Sequence, residues 1–222
     1  MYQKTYKKRD MGKETLNARE ASANPINAIA NGNARSRTIS EHDEYMGWEA
    51  AVNHIKKITG VDDEDAEVMY DAIDYYTGMG YEWLREFQQG KREGNESLRN
   101  ADEYLERFIE LAPKWKGMTY RGMGMFKEDL ESFSAGQTID MNGTSSWTSS
   151  NKEAFEYAIA RRSLRGGRVG VIFVCKNQPL GTSVDFASGM NEKEVTVSKR
   201  AKWRITGKRQ TDRAMFVTVE PI

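Results

Sequence analysis

From about residue 43 to residue 112 apolar side chains recur every three or four positions; beyond residue 117 they alternate in short runs. The first regime predicts helices and the second strands. "YMGWEAAVNHIKKI" sets Tyr45, Trp48, Val52 and Ile55 on one helical stripe, and "DDEDAEVMYDAIDYYTG" opens on acids that suit a helix N-terminus and ends at Gly78. "YEWLREFQQG" and "NADEYLERFIEL" supply two more amphipathic helices, the last stopped by Pro113. The strand-like runs are "MTYRGM", "TIDMN", "SSWTS", "VGVIFVC", "EVTVS", "KWRITG" and "AMFVTVE", with one helix, "NKEAFEYAIARRSL", among them. Helices followed by strands predict an α+β fold. Residues 1–40, rich in Asn, Ala, Arg and Ser, carry no sustained apolar period. They are expected to form a flexible tail or a delivery or packaging segment. Residues 41–222 are expected to form one domain, helical over 41–113 and β-rich over 114–222.

Composition narrows the class. Apolar residues make up 38% and charged residues 30% of the 222, the balance of a soluble globular chain. No run approaches the ~18 apolar residues of a membrane span, and no apolar stretch follows the basic "MYQKTYKKRD" to make a secretory signal. A single cysteine, Cys175, excludes an internal disulfide framework, and two scattered histidines argue against a metal site. His42 and His54 show no partner in the sequence. The zero net charge hides segregation: residues 41–113 carry 7 basic against 19 acidic side chains, residues 114–222 carry 18 against 11. A basic second half suits a polyanionic ligand, with nucleic acid admitted but not favoured.

Three short stretches carry candidate chemistry. In "TYRGM", Arg121 ends a strand run, and its guanidinium fork matches phosphate oxygens. Gly122 and Gly124 after it would let a ligand approach the backbone. In "GTSSWTSSNKEAFEYA", Ser150 or Asn151 can cap the helix that follows, which leaves Ser146 and Thr148 unexplained on one strand face. In "GMNEKEV", Glu192 and Glu194 stand two apart on one face of the expected strand, where like charges raise each other's pKa. Nearby Lys193, Lys199 and Arg200 could simply screen them.

The order of the three, with 25 residues from Arg121 to Ser146 and 48 more to Glu194, resembles the R-S-E class of mono-ADP-ribosyltransferases of bacterial exotoxin or phage type. In that family a strand Arg, a Ser-x-Ser strand and a Glu-x-Glu strand follow one another. Setting Ser146-Trp147-Thr148 on the second motif puts Ala154, Tyr157 and Ala158 where the family has its helix alanine and aromatic-Ala pair. A register starting at Ser149 keeps one more serine but displaces that alanine. "AIDYYTGMGYEWLREF" is similar to the family's Tyr-Thr-Gly…Tyr…Leu-Arg helical stretch. Thr148 replaces the last serine of the pattern, and Trp147 is bulkier than the usual middle residue.

The resemblance implies a helical region packed on a mixed β-sandwich. It implies an enzyme that splits NAD between nicotinamide and ribose and passes ADP-ribose to arginine side chains of a target protein, without a metal. By resemblance, Glu194 stabilises the oxocarbenium-like ribose, Ser146 orients Glu194, and Arg121 clamps the pyrophosphate. Glu192 receives the target guanidinium, and the arginine assignment rests on that residue. Gly122, Trp147 and Thr148 would complete the NAD site. "GTSVDFASGMN" resembles the target-recognition loop, in which Phe186 would contact the partner or pin the loop. Arg161 and Arg162 could reach the phosphates or serve the helix dipole, and Gly166-Gly167 reads as a turn. A monomer delivered into a target cell, or carried by a phage, fits this picture. Competing readings are transfer to a nucleic-acid base, plain NAD hydrolysis, and a non-catalytic phage head component with the same fold.

Overall fold

The computed structural model describes residues 38–163, 168–190 and 192–222, the side chains of residues 162 and 163 excepted. The expectations for the tail over 1–37, for Arg162 and for the Gly166-Gly167 turn lie outside the described residues. Four helices come first: α1 (Trp48–Thr59), α2 (Asp63–Thr77), α3 (Tyr81–Gln88) and α4 (Glu96–Leu111). Asp62 caps α2 by accepting the Asp65 N–H at 3.0 Å, with three acids in the first turn. Asn95 caps α4 through the Leu98 N–H at 2.9 Å, which starts that helix earlier than its apolar stripe suggests. Gly60, at φ 80°, ends α1 in the left-handed region. Ala51, Val52 and Ile55 carry the buried face of α1. Tyr45 and Trp48, expected on that stripe, are exposed, because Tyr45 precedes the helix and Trp48 is its first residue.

The strands are β1 (Thr38–Ile39), β2 (Lys114–Trp115), β3 (Thr119–Phe126), β4 (Thr138–Asp140), β5 (Ser145–Thr148), β6 (Arg168–Cys175), β7 (Gly181–Ser183), β8 (Glu194–Val197), β9 (Lys202–Gln210) and β10 (Met215–Pro221). Helices α5 (Lys127–Glu131) and α6 (Asn151–Ser163) lie among them. Thr38–Ile39, read as tail from the sequence, pairs in parallel with Lys114–Trp115. The other eight strands follow the order β4-β9-β10-β6-β3-β5-β8-β7. Only β10 and β6 run parallel, so the sheet is mixed.

Strands β3 and β5 share a single registered pair, Tyr120 with Thr148, and the ladder folds over at that joint. Trp147 on β5 and Trp203 on β9 stand four strand intervals apart, ~19 Å on a flat sheet. Their rings nevertheless meet at 5.3 Å. The two arms therefore face each other as a sandwich around Trp147, Phe173, Val195, Trp203 and Val217. A second core joins α1, α2 and α4 to the loop residues Val184, Phe186 and Ala187. Helix α6 lies on β3 and β6 through Ala154, Ala158 and Ile172.

Candidate active site

Between the helical layer and the open joint of the sandwich lies a cleft of about 640 Å³. Its walls come from the end of α2, from α3, β3, β5 and α6, and from the loop entering β8. Arg121 projects from the middle of the sheet and is 8% exposed. One Nη donates to the Ser146 carbonyl, while its Nε is buried without a partner. Burial, and then repulsion from Arg85, lowers its pKa. A buried guanidinium with an unused donor is costly in the free protein and suits an anion.

Ser146 and Thr148 face the cleft, and Trp147 between them turns into the sandwich core. That alternation is the period of a strand. Trp147 still lines the cleft, with its indole packed in the sandwich core. The Ser146 hydroxyl meets the buried Tyr76 hydroxyl at 2.8 Å, and its nearness to the Glu194 carboxylate favours the ionised form of that group. Thr148 Oγ1 donates to the Glu192 carbonyl at 2.8 Å and accepts the Ser150 N–H at 2.9 Å, so it anchors backbone. Ser149, the alternative start of the motif, lines a different cavity.

Glu194 opens β8 and is 5% exposed. Thr196 Oγ1 donates to its carboxylate at 3.1 Å, and Asp185 accepts its backbone N–H at 2.7 Å. Burial pushes its pKa up to about 7 against the pull of the Ser146 and Thr196 hydroxyls, with Glu192 and Asp185 adding smaller repulsions. Desolvation, more than the neighbouring glutamate, therefore strengthens the hold of this carboxyl on its proton. Glu192 precedes the strand instead of sharing its face, with Lys193 between at φ 51°, yet it lines the same cleft. Partial burial and Glu153 raise its pKa.

Gly122 and Gly124 line the cleft, and they have a second use. A Cβ on Gly122 would stand 2.0 Å from the Ala154 carbonyl oxygen, and one on Gly124 would stand 2.9 Å from that of Arg161. Their bare backbone lets α6 lie against β3. Phe186 is 1% exposed and packs on Phe108 and His54, so its ring cannot contact a partner and instead pins the loop.

Three cleft residues were given no role from the sequence: Tyr76 and Arg85, which lie in the "AIDYYTGMGYEWLREF" stretch, and Arg168. Arg85 bonds the Met141 carbonyl. Arg168 stacks its guanidinium 4.9 Å from the Phe126 ring and keeps a buried, unpartnered Nε. Arg161 bonds the Tyr157 hydroxyl at 2.6 Å. Along β3, Tyr120 pairs with Thr148 beside the glutamates, and Phe126 pairs with Arg168. Those six steps span ~20 Å. The cleft thus has an acidic end (Glu153, Glu192, Glu194) and a basic end (Arg161, Arg168), with Arg121 and Arg85 between them.

No protein-family profile and no curated protein match the chain in sequence. Solved structures do match its fold. Vis toxin, an ADP-ribosyltransferase from Vibrio splendidus, superimposes with a TM-score of 0.59 at 18% identity, over 79% of this chain and 82% of that one. The chain has the ADP-ribosyltransferase fold. Two further carriers of that fold match similarly. The ADP-ribosyltransferase HopU1 of Pseudomonas syringae gives a TM-score of 0.56 at 12% identity over 80% and 88% of the two chains. Exoenzyme S from Pseudomonas aeruginosa, solved with human 14-3-3 protein beta and Carba-NAD, gives 0.55 at 15% over 78% and 88%. At such identities the ADP-ribosyltransferase fold is what is shared. Among the described residues no cluster of His, Cys, Asp and Glu could hold a metal ion, and no helix is long and apolar enough to cross a membrane.

Proposed function

We propose that the protein cleaves NAD at its nicotinamide–ribose bond and transfers ADP-ribose to arginine side chains of a target protein. The observation that carries this reading is the convergence of Arg121, Ser146 and Glu194 on one cleft, with two further cations, Arg161 and Arg168, along it. The unpartnered Nε of Arg121 fits a phosphate oxygen, and Arg85, Arg161 and Arg168 extend the same charge along the groove. The nicotinamide ribose then falls at the glutamate end.

As the glycosidic bond breaks, its electron pair leaves with nicotinamide and positive charge develops on the ribose. Glu194, ionised, stabilises that charge in a site with little water to screen it. Ser146, itself held by Tyr76, keeps the carboxylate in line. A guanidinium nitrogen of the target attacks the ribose carbon and gives up a proton, which Glu192 at the exposed rim can accept. Support for a guanidinium acceptor comes from Vis, solved in complex with agmatine, a decarboxylated arginine. Support for the dinucleotide comes from exoenzyme S bound to Carba-NAD.

Incubation with NAD and agmatine, read by mass spectrometry, tests the assignment. Agmatine should gain the ADP-ribose mass, and Glu192→Gln should lose that product while still releasing nicotinamide. Nicotinamide release without any labelled agmatine or protein would mark a glycohydrolase. Label removed by nuclease would mark a nucleic-acid acceptor.

A further inference from the structure

A second cavity, of about 820 Å³, lies on the other side of the loop that carries Glu192 and Glu194. His42, without a visible partner in the sequence, stands in its wall at a junction of contacts. Its Nε2 meets Ser149 Oγ at 2.9 Å; its Nδ1 meets Ser183 Oγ at 2.8 Å and Asp185 Oδ2 at 3.3 Å. The ring lies 4.4 Å from that of Trp115. The other Asp185 oxygen accepts the Glu194 N–H at 2.7 Å, and the Ser149 N–H donates to the Lys193 carbonyl at 3.1 Å. One imidazole, supplied by the segment ahead of α1, thus ties together the ends of β5 and β7 and the loop leading into β8.

We propose that His42 is a positioning residue for Glu194, acting through Asp185 on one ring nitrogen and through Ser149 on the other. The inference rests on Glu194 being the carboxylate that faces the ribose. Burial lowers the His42 pKa to about 4 and raises that of Asp185 to about 6. At neutral pH the ring is therefore uncharged, with Nδ1–H directed to Asp185 and Ser183 and Nε2 accepting from Ser149. Ser149, His42 and Asp185 stand in the order used by serine hydrolases, but the nearby amides that could stabilise an oxyanion are already engaged. The Ser149 N–H goes to Lys193 and the Ser150 N–H to Thr148. The array holds a strand end in place.

The test uses the full chain with His42→Ala, Asp185→Ala and the double variant, and with His42→Gln as a milder change. Amide hydrogen exchange at Glu194, measured against Val195 and Val197, reads the Asp185 bond whether or not the protein turns over NAD. Exchange at Glu194 should accelerate about 10-fold or more in His42→Ala and less in His42→Gln. The kcat for nicotinamide release should fall about 10-fold, with KM for NAD held within about 2-fold. The double variant should lose less than the product of the two single losses, because the Asp185 arm is shared, and only the Ser149 arm can add to the loss of Asp185→Ala. Unchanged exchange at Glu194, or kcat losses that multiply in the double variant, would overturn the assignment. Absence of nicotinamide release from the wild type would instead overturn the catalytic reading of Glu194, leaving the exchange data to decide the role of His42.

Discussion

Two buried glutamates in this molecule show how environment divides structural from chemical use of the same side chain. Glu106, 7% exposed on α4, accepts from Ser198 Oγ at 2.6 Å, from the Lys199 N–H at 2.8 Å and from Thr144 Oγ1 at 3.2 Å, with Arg200 3.6 Å away. It fastens the helical layer to the strands. Glu194, equally buried, has hydroxyl donors for its carboxylate, and burial pushes its pKa up to about 7. A buried carboxylate surrounded by donors and a cation serves the fold; one left short of them is available to a cation that arrives with substrate. The same contrast separates Arg200, paired with Glu110, from Arg121, whose Nε has no partner.

The contrast can be broken by experiment. The largest effect is expected from Glu194→Gln, which should reduce nicotinamide release ~100- to 1,000-fold, the usual loss when one preorganised electrostatic partner is removed. NAD affinity and melting temperature should not fall. Glu106→Ala should do the reverse, lowering stability by ~3 kcal/mol through the donors it strands while leaving kcat of the folded fraction unchanged. Thermal melts alongside active-site titration separate the two.

A smaller effect concerns pH. The folded chain keeps the Glu194 proton to about pH 7, whereas the unfolded chain releases it near 4.5. Between those values the folded state binds more protons, so ionising Glu194 costs stability as pH rises, fully so above about pH 7. The stability advantage of Glu194→Gln over wild type should therefore grow from about pH 4.5 to about pH 7 and then level at ~3 kcal/mol. A constant difference across that window would mean that burial does not hold the proton. The smallest effect is expected at the basic end of the cleft. Arg168→Ala should weaken NAD binding ~5-fold, about 1 kcal/mol, measured by calorimetry, with kcat preserved.

Much of this was legible in the chain. The helix-to-strand change near residue 115 and the spacing of Arg121, Ser146 and Glu194 are local text, and strand alternation alone puts Ser146 and Thr148 on one face. Contacts between distant segments were not legible. The indole of Trp147 is in the core because β9 folds back across β5 to bring Trp203 against it. The loop around Phe186 is drawn into the helical core by Phe108 and His54, which no property of the loop announces. The clearance that Gly122 also gives to the backbone of α6 was hidden, because that helix is more than thirty residues away in sequence. His42 has meaning only once β5, β7 and the loop before β8 are side by side.

The most direct test of the account is the rate of nicotinamide release from NAD, followed from about pH 5 to about pH 9 in wild type and Glu194→Gln. The wild-type rate should climb through about pH 7 as Glu194 ionises and then level, while the variant stays flat and at least ~100-fold lower. A variant that matches the wild type in rate and pH profile would contradict the account.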